Sequence, residues 1–178
     1  MRSVNGTSRC LVLAAVLAAV AVVSADENFR ITPIVRDNQV LVSFDVADAY
    51  TPAVRDAIAS GLTTTITYEL QLRMEAWVDR TIVSAIVSSS DHYDNLTRKH
   101  TLSRIVNGHV EESLVTADER VAKTWLTSWT RLPLCDTAKL DPARDYYVRI
   151  SARTRPFAES LLGFTKSITG QAKFTFVP

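Results

Sequence analysis

The chain has 178 residues, with 20 basic and 19 acidic side chains and 47% apolar residues. That length suits one domain with a real core, and the near-neutral charge leaves no bulk electrostatic case for nucleic acid or an anionic membrane. Two cysteines are too few for a disulfide framework or a cysteine-rich zinc module, and five glycines with six prolines exclude a collagen-like or linker-rich chain.

Residues 1–25 read as a cleaved secretory signal peptide. Arg2 and Arg9 form a basic start, and the apolar run from Leu11 to Val23 follows. That run is shorter than the roughly 20 residues a membrane-spanning helix needs. Val23-Ser24-Ala25 offers small residues to signal peptidase, so the cut is expected between Ala25 and Asp26. Cys10 precedes the run, which does not suit lipoprotein acylation. No transmembrane helix is expected in the rest of the chain. Removing Arg2 and Arg9 from 20 basic side chains against 19 acidic ones leaves a charge of −1. Cys135 is then alone in an oxidising compartment, and a small buried hydrophobe is the reading, with an intermolecular disulfide or reactive thiol as the alternative.

Residues 26–178 are expected to form a single β-rich domain, because period-two alternation dominates. Phe29 to Arg36 is a weak first strand, and Pro33 places it at an edge. Asp37-Asn38 turns it into a second strand whose Val40, Val42, Phe44 and Val46 share one face. Thr51-Pro52 caps and opens a short helix that Gly61 ends. The clearest alternation follows: Ile66, Tyr68, Leu70, Leu72 and Met74 face inward while Thr67, Glu69, Gln71 and Arg73 face water.

Asp94 to Thr97 is expected to turn the strand Ile82–Tyr93 back onto Arg98–Val106. A two-residue Asn95-Leu96 loop would set Asp91 opposite His100 and His92 opposite Lys99. Asn107-Gly108 is a type I′ hairpin pair, with Val106 facing His109 and Arg104 facing Glu111. A second helix is expected from Thr116, with Glu119 at capping-box spacing. Val121, Ala122, Trp125, Leu126 and Trp129 lie along one stripe of it, and Pro133 ends any continuation. Val148, Ile150 and Ala152 mark a further strand, the stretch from Arg155 to Gly170 a long connection or inserted loop, and Ala172, Phe174 and Phe176 a last strand. The expected fold is mainly β, an antiparallel β-sandwich or open barrel of about eight strands with two short helices.

Short motifs spread along the chain carry a resemblance. They are Phe29-Arg30-Ile31 through Val46, Ile58-Ala59-Ser60-Gly61-Leu62, Tyr68-Glu69-Leu70-Gln71-Leu72-Arg73, Trp77-Val78-Asp79-Arg80, Tyr93-Asp94-Asn95-Leu96-Thr97-Arg98 and Leu132-Pro133-Leu134. With these the chain resembles the domain-of-unknown-function family 4390, secreted or periplasmic proteins of Gram-negative bacteria. The resemblance implies a periplasmic or secreted address and proteins encoded beside sensor-kinase genes. It brings no activity and no catalytic residues. The chain departs from the family in ending Lys173-Phe174-Thr175-Phe176, where members often carry a tryptophan-rich strand.

The residues with chemistry are few. Asp91, His92, Asp94 and His100 gather near one hairpin and could hold Zn²⁺ or Cu²⁺. Their spacing matches no ligand motif, however, so solvated turn polarity is the reading and no metal is expected. His109 serves its own hairpin. Nucleophile elbow, phosphate loop, dinucleotide fingerprint and His-Glu-x-x-His are all absent from the sequence. No enzyme activity, catalytic residue or cofactor is therefore expected. Glu69 and Asp79, beside Arg73 and Arg80, read as salt-bridge partners, and Arg144, Arg149, Arg153 and Arg155 as a wet strand face. Asn95-Leu96-Thr97 is a glycosylation sequon that matters only in a eukaryotic source.

Trp77, Trp125 and Trp129 are the candidate ligand-binding residues, since three large aromatics can line a groove. Anchoring the helix to the sheet is their other use. The leading expectation is a non-enzymatic domain that binds a protein or peptide partner at the cell envelope, through exposed sheet edges and the Pro156–Gly170 connection. The second is a carrier of small hydrophobic ligands, with its pocket under the helix bearing Trp125 and Trp129. The oligomeric state stays open.

Overall fold

A computed structural model describes residues 29–155 and 167–177. The expected leader with its cut at Ala25 and Asp26, and residues 156–166 of the expected connection, lie outside the described residues. The strands are β1 (Phe29–Arg36), β2 (Gln39–Val46), β3 (Thr64–Met74), β4 (Arg80–Asp94), β5 (Lys99–Val106), β6 (His109–Thr116), β7 (Ser128–Asp136), β8 (Asp145–Arg155) and β9 (Ser167–Thr175). Helix α1 (Pro52–Ala59) follows β2, and α2 (Glu119–Thr127) joins β6 to β7.

All ladders are antiparallel and fall into two sheets, ordered β1-β2-β7 and β6-β5-β4-β3-β8-β9. Val40, Val42, Phe44 and Val46 of β2 pack on Ile66, Tyr68, Leu70 and Leu72 of β3 and on Val148, Ile150 and Ala152 of β8. The Phe44 and Tyr68 ring centroids are 5.0 Å apart across this layer. The alternation that predicts strands thus also supplies both inner faces of a sandwich. The barrel alternative is not realised, because no ladder joins one sheet to the other among the described residues. Proline obeys the edge rule: Pro33 lies on β1 and Pro133 on β7, the two outer strands of the small sheet.

The described residues form nine strands, one more than the about eight expected, because α2 ends sooner than its spacing implies. Its cap is Asp118, whose carboxylate accepts from the Arg120 amide at 2.8 Å. Thr116, the expected cap, instead accepts from the Asp118 amide at 3.1 Å. Leu126 lies in the last turn, where carbonyls lack helical partners, and its carbonyl takes the buried Tyr68 hydroxyl at 2.6 Å. From Ser128 the backbone is extended and pairs with β2, so Trp129 belongs to β7 and not to the helix. Opposite Ser43 the β7 strand bulges, with Arg131 at φ 53° and its amide donating to the Ser43 hydroxyl at 3.0 Å.

Both hairpin registers differ from expectation, the first through its turn and the second through a bulge. The first turn has four residues between Asp94 and Lys99, not two, so Tyr93 faces His100 and Asp91 faces Leu102. Asp94 holds this turn by accepting from the Leu96 amide and the Thr97 hydroxyl, each at 2.8 Å. The second turn is as expected, with Asn107 at φ 48° and Gly108 at φ 89°. A bulge beyond it pairs Arg104 with Glu112 and not with Glu111. Gly170, expected in a loop, lies within β9 opposite Ile150.

Candidate functional site

The three tryptophans do not form one groove. Trp77 is fully exposed in the β3–β4 connection, beyond the Met74 end of β3. Trp125 on α2 and Trp129 on β7 meet near the opposite end, at Arg104 of β5. The Arg104 guanidinium carbon is 4.3 Å from the Trp125 ring centroid and 4.7 Å from that of Trp129. Arg104 also donates to the Ser128 carbonyl at 2.6 Å and to Glu112 at 3.3 Å. Burial pulls its guanidinium below the usual value, against the opposing pull of Glu112. Arg104 therefore lies between the two indoles, and a shallow cavity of about 440 Å³ beside α2 is lined by Arg104, Trp125, Val121 and Arg120. These indoles anchor the helix to the sheet, and the second of them is not on a helix at all.

Strand alternation splits the four candidate metal ligands. Asp91 and His100 point inward, whereas His92 and Asp94 point outward. His92 Nδ1 lies 3.2 Å from the Thr63 hydroxyl, and Asp94 serves its own turn. Among the described residues no group of three or more metal-type side chains gathers. Solvated turn polarity, the expected reading, is wrong for the inward pair: Asp91 is completely buried and His100 is 5% exposed. They meet on the diagonal between strands, with His100 Nδ1 2.8 and 3.1 Å from the two Asp91 oxygens. The Tyr93 ring lies beside His100, with centroids 4.7 Å apart. Burial pushes the Asp91 carboxyl above its ordinary range, although His100 pulls it down.

Over His100 opens a cavity of about 330 Å³ between α1 and the start of α2. Tyr50 and Tyr93 form aromatic walls, Ile58 and Ala117 apolar ones, and Arg55 and Glu119 carry charge at its rim. The Tyr50 hydroxyl donates to Glu119 at 3.3 Å. Burial, then the charge of Glu119, pushes the Tyr50 phenol up to about 12. The hairpin pattern already brings Asp91 near His100. Nothing local shows that two helices will cover them.

A third feature is the β6 edge. Every residue of β6 from His109 to Val115 is exposed, and its outer side pairs with no strand among the described residues. Val110 and Val115 are 66% and 57% exposed, and Ile86 of β4, on the same sheet face, is 55% exposed. Glu111 sits unpaired at the bulge, whereas Glu112 is held by Arg104.

The remaining candidates are structural. Asp79 accepts from the Tyr147 hydroxyl at 2.6 Å, which holds its carboxyl below the usual range. Glu69 accepts from Gln71 at 2.8 Å and lies 3.9 Å from Arg153. The arginine partners expected for these two acids are thus replaced by a tyrosine and a more distant arginine. Cys135 is half-buried against the core, and burial raises its thiol pKa. Among the described residues no helix is long and apolar enough to cross a membrane.

A family model described as a domain of unknown function, DUF4390, matches residues 27–158, a span that takes in β1 through β8 and both helices. No curated protein and no solved structure matches the chain.

Proposed function

The chain belongs to the DUF4390 family, and from that premise we propose that it is a non-enzymatic binding domain that takes an extended segment of a partner protein along the β6 edge. The reading rests on one observation: β6 offers a complete strand edge, exposed along its length, with no proline on it. An added strand is held by main-chain hydrogen bonds and selected by alternate side chains, so it needs no catalytic chemistry. Val110, Val115 and Ile86 give the incoming strand an apolar side to cover, and Glu111 favours a basic residue on the partner. The leader-like residues 1–25 support an address in the periplasm or outside the cell, which suits an envelope or membrane signalling partner. The hydrophobic-ligand carrier has less support, since Trp77 and Trp129 do not line the cavity beside Trp125, whose walls carry the charges of Arg104, Asp118 and Arg120.

Amide hydrogen exchange tests this with extended peptides of alternating apolar residues and one lysine. Binding is expected to slow exchange along β6, and Val110→Lys combined with Val115→Lys to weaken it about tenfold, which is about 1.4 kcal/mol. Protection confined to other strands, or affinity indifferent to the double substitution, would sink the reading.

A further inference from the structure

The cavity over His100 has the chemistry of a cation site, and its residues are distinct from those of the β6 edge. In the neutral imidazole the Asp91 carboxylate, an acceptor, selects the tautomer with its proton on Nδ1, which leaves Nε2 as an acceptor. His100 lines the cavity, is 5% exposed, and its ring has no protein hydrogen-bond partner besides Asp91 among the described residues. Nε2 thus has no protein partner among the described residues and is open to a donor that enters the cavity.

The charge balance points the same way. Asp91 is completely buried, and among the described residues its only side-chain hydrogen-bond partner is the His100 ring. A cation on Nε2 would balance that carboxylate through the ring, as a metal does in a carboxylate–histidine pair. His100 and Glu119 alone are too few to hold zinc, which takes at least three protein ligands. The Tyr50 and Tyr93 rings offer electron-rich faces, and Lys123 already lies 5.6 Å from the Tyr50 ring centroid. Two basic groups oppose a cation, Arg55 and Lys123, but both are exposed and screened, and Arg55 lies 3.5 Å from Asp56.

We propose that this cavity binds a primary alkylammonium group, which donates to His100 Nε2 and to Glu119 while its stem lies along Ile58 and Ala117. A lysine side chain of a bound peptide and a free alkylamine share this chemistry.

The experiment is an NMR titration of the protein with n-butylammonium chloride, n-butanol, sodium butyrate, zinc chloride and a capped Ala-Lys-Ala peptide. Butylammonium is expected to shift the Tyr50, His100 and Ala117 resonances saturably, and to bind about tenfold more weakly to Glu119→Gln. Glu119 is exposed, so that variant tests the site without threatening the fold. His100→Gln should lose the response altogether. Tighter binding of the peptide assigns the group to a peptide side chain, and equal or tighter binding of butylammonium to a small molecule; both support the site. Butanol or butyrate binding as well as butylammonium overturns it. So does preferred binding of zinc, unchanged affinity in Glu119→Gln, or the absence of any saturable shift.

Discussion

Asp91 is a completely buried carboxylate hydrogen-bonded to the imidazole of His100. Burial raises its pKa above the ordinary 3.8, outweighing the hydrogen bond and charge of His100. The native state therefore holds this proton more tightly than the unfolded chain. The stability it contributes is whole below pH 3.8 and is lost as pH rises through the raised value. Asp91→Asn keeps an acceptor for His100 without the charge. In urea unfolding from pH 3.5 to 7, the variant is expected to gain on the wild type as pH rises. Taking that difference cancels Asp79, Asp94 and Asp118, whose lowered pKa values act with the opposite sign. A difference that does not change with pH would refute the assignment. Arg104 shows how far one residue's role can lie from its sequence neighbours. Its charge partner on the next strand is legible to within one residue, but its two indoles arrive from a helix and from another sheet.

At the level of elements, the junction of α2 and β7 shows local and distant signals in competition. Trp125, Leu126 and Trp129 follow helical spacing, and nothing local stops the helix before Pro133. Tyr68 from β3 takes a carbonyl in the last turn, and β2 offers a ladder from Ser128 onward, so the strand wins. Gly170 is a second such case, because glycine in a polar stretch reads as a loop. In the fold it sits in β9 beneath Phe29 of β1, and a Cβ there would lie 2.8 Å from two ring carbons. The two sheets close on each other at this point. Gly170→Ala is expected to destabilise the protein by roughly 1–3 kcal/mol through overpacking. Trimming the ring with Phe29→Ala should make the second change nearly neutral in a double-mutant cycle. Chemical denaturation of the four proteins checks this, and additive losses would show that the ring is not the obstacle.

Across the whole molecule, protection is graded. β3 is paired on both sides, by β4 and β8, and its Ile66, Tyr68, Leu70 and Leu72 are fully buried. β6 lies at the far end of the same sheet, exposed on both faces. In the free protein, β3 amides are expected to exchange only by global unfolding, and β6 amides to be the fastest of the strands. Equal protection of β3 and β6 would mean that something covers the β6 edge in solution. That gradient leaves a readable edge on an otherwise rigid sandwich.

Alternation by itself determined which segments are strands, apart from β7 and the start of β9, which side chains of β2, β3 and β8 face inward, and that the ladders are antiparallel. The Thr51-Pro52 cap and the Asn107-Gly108 turn were equally legible, because capping and turn chemistry act within a few residues. Tertiary structure alone decided how the strands divide into two sheets, where α2 gives way to β7, and that Trp77 stands apart from Trp125 and Trp129. It also turned Asp91 and His100 from hairpin polarity into a buried pair whose histidine lines a cavity between the two helices. The physical reason is one of range. Periodicity tells which side of a strand is apolar or polar, but only contacts with distant segments settle what covers that side.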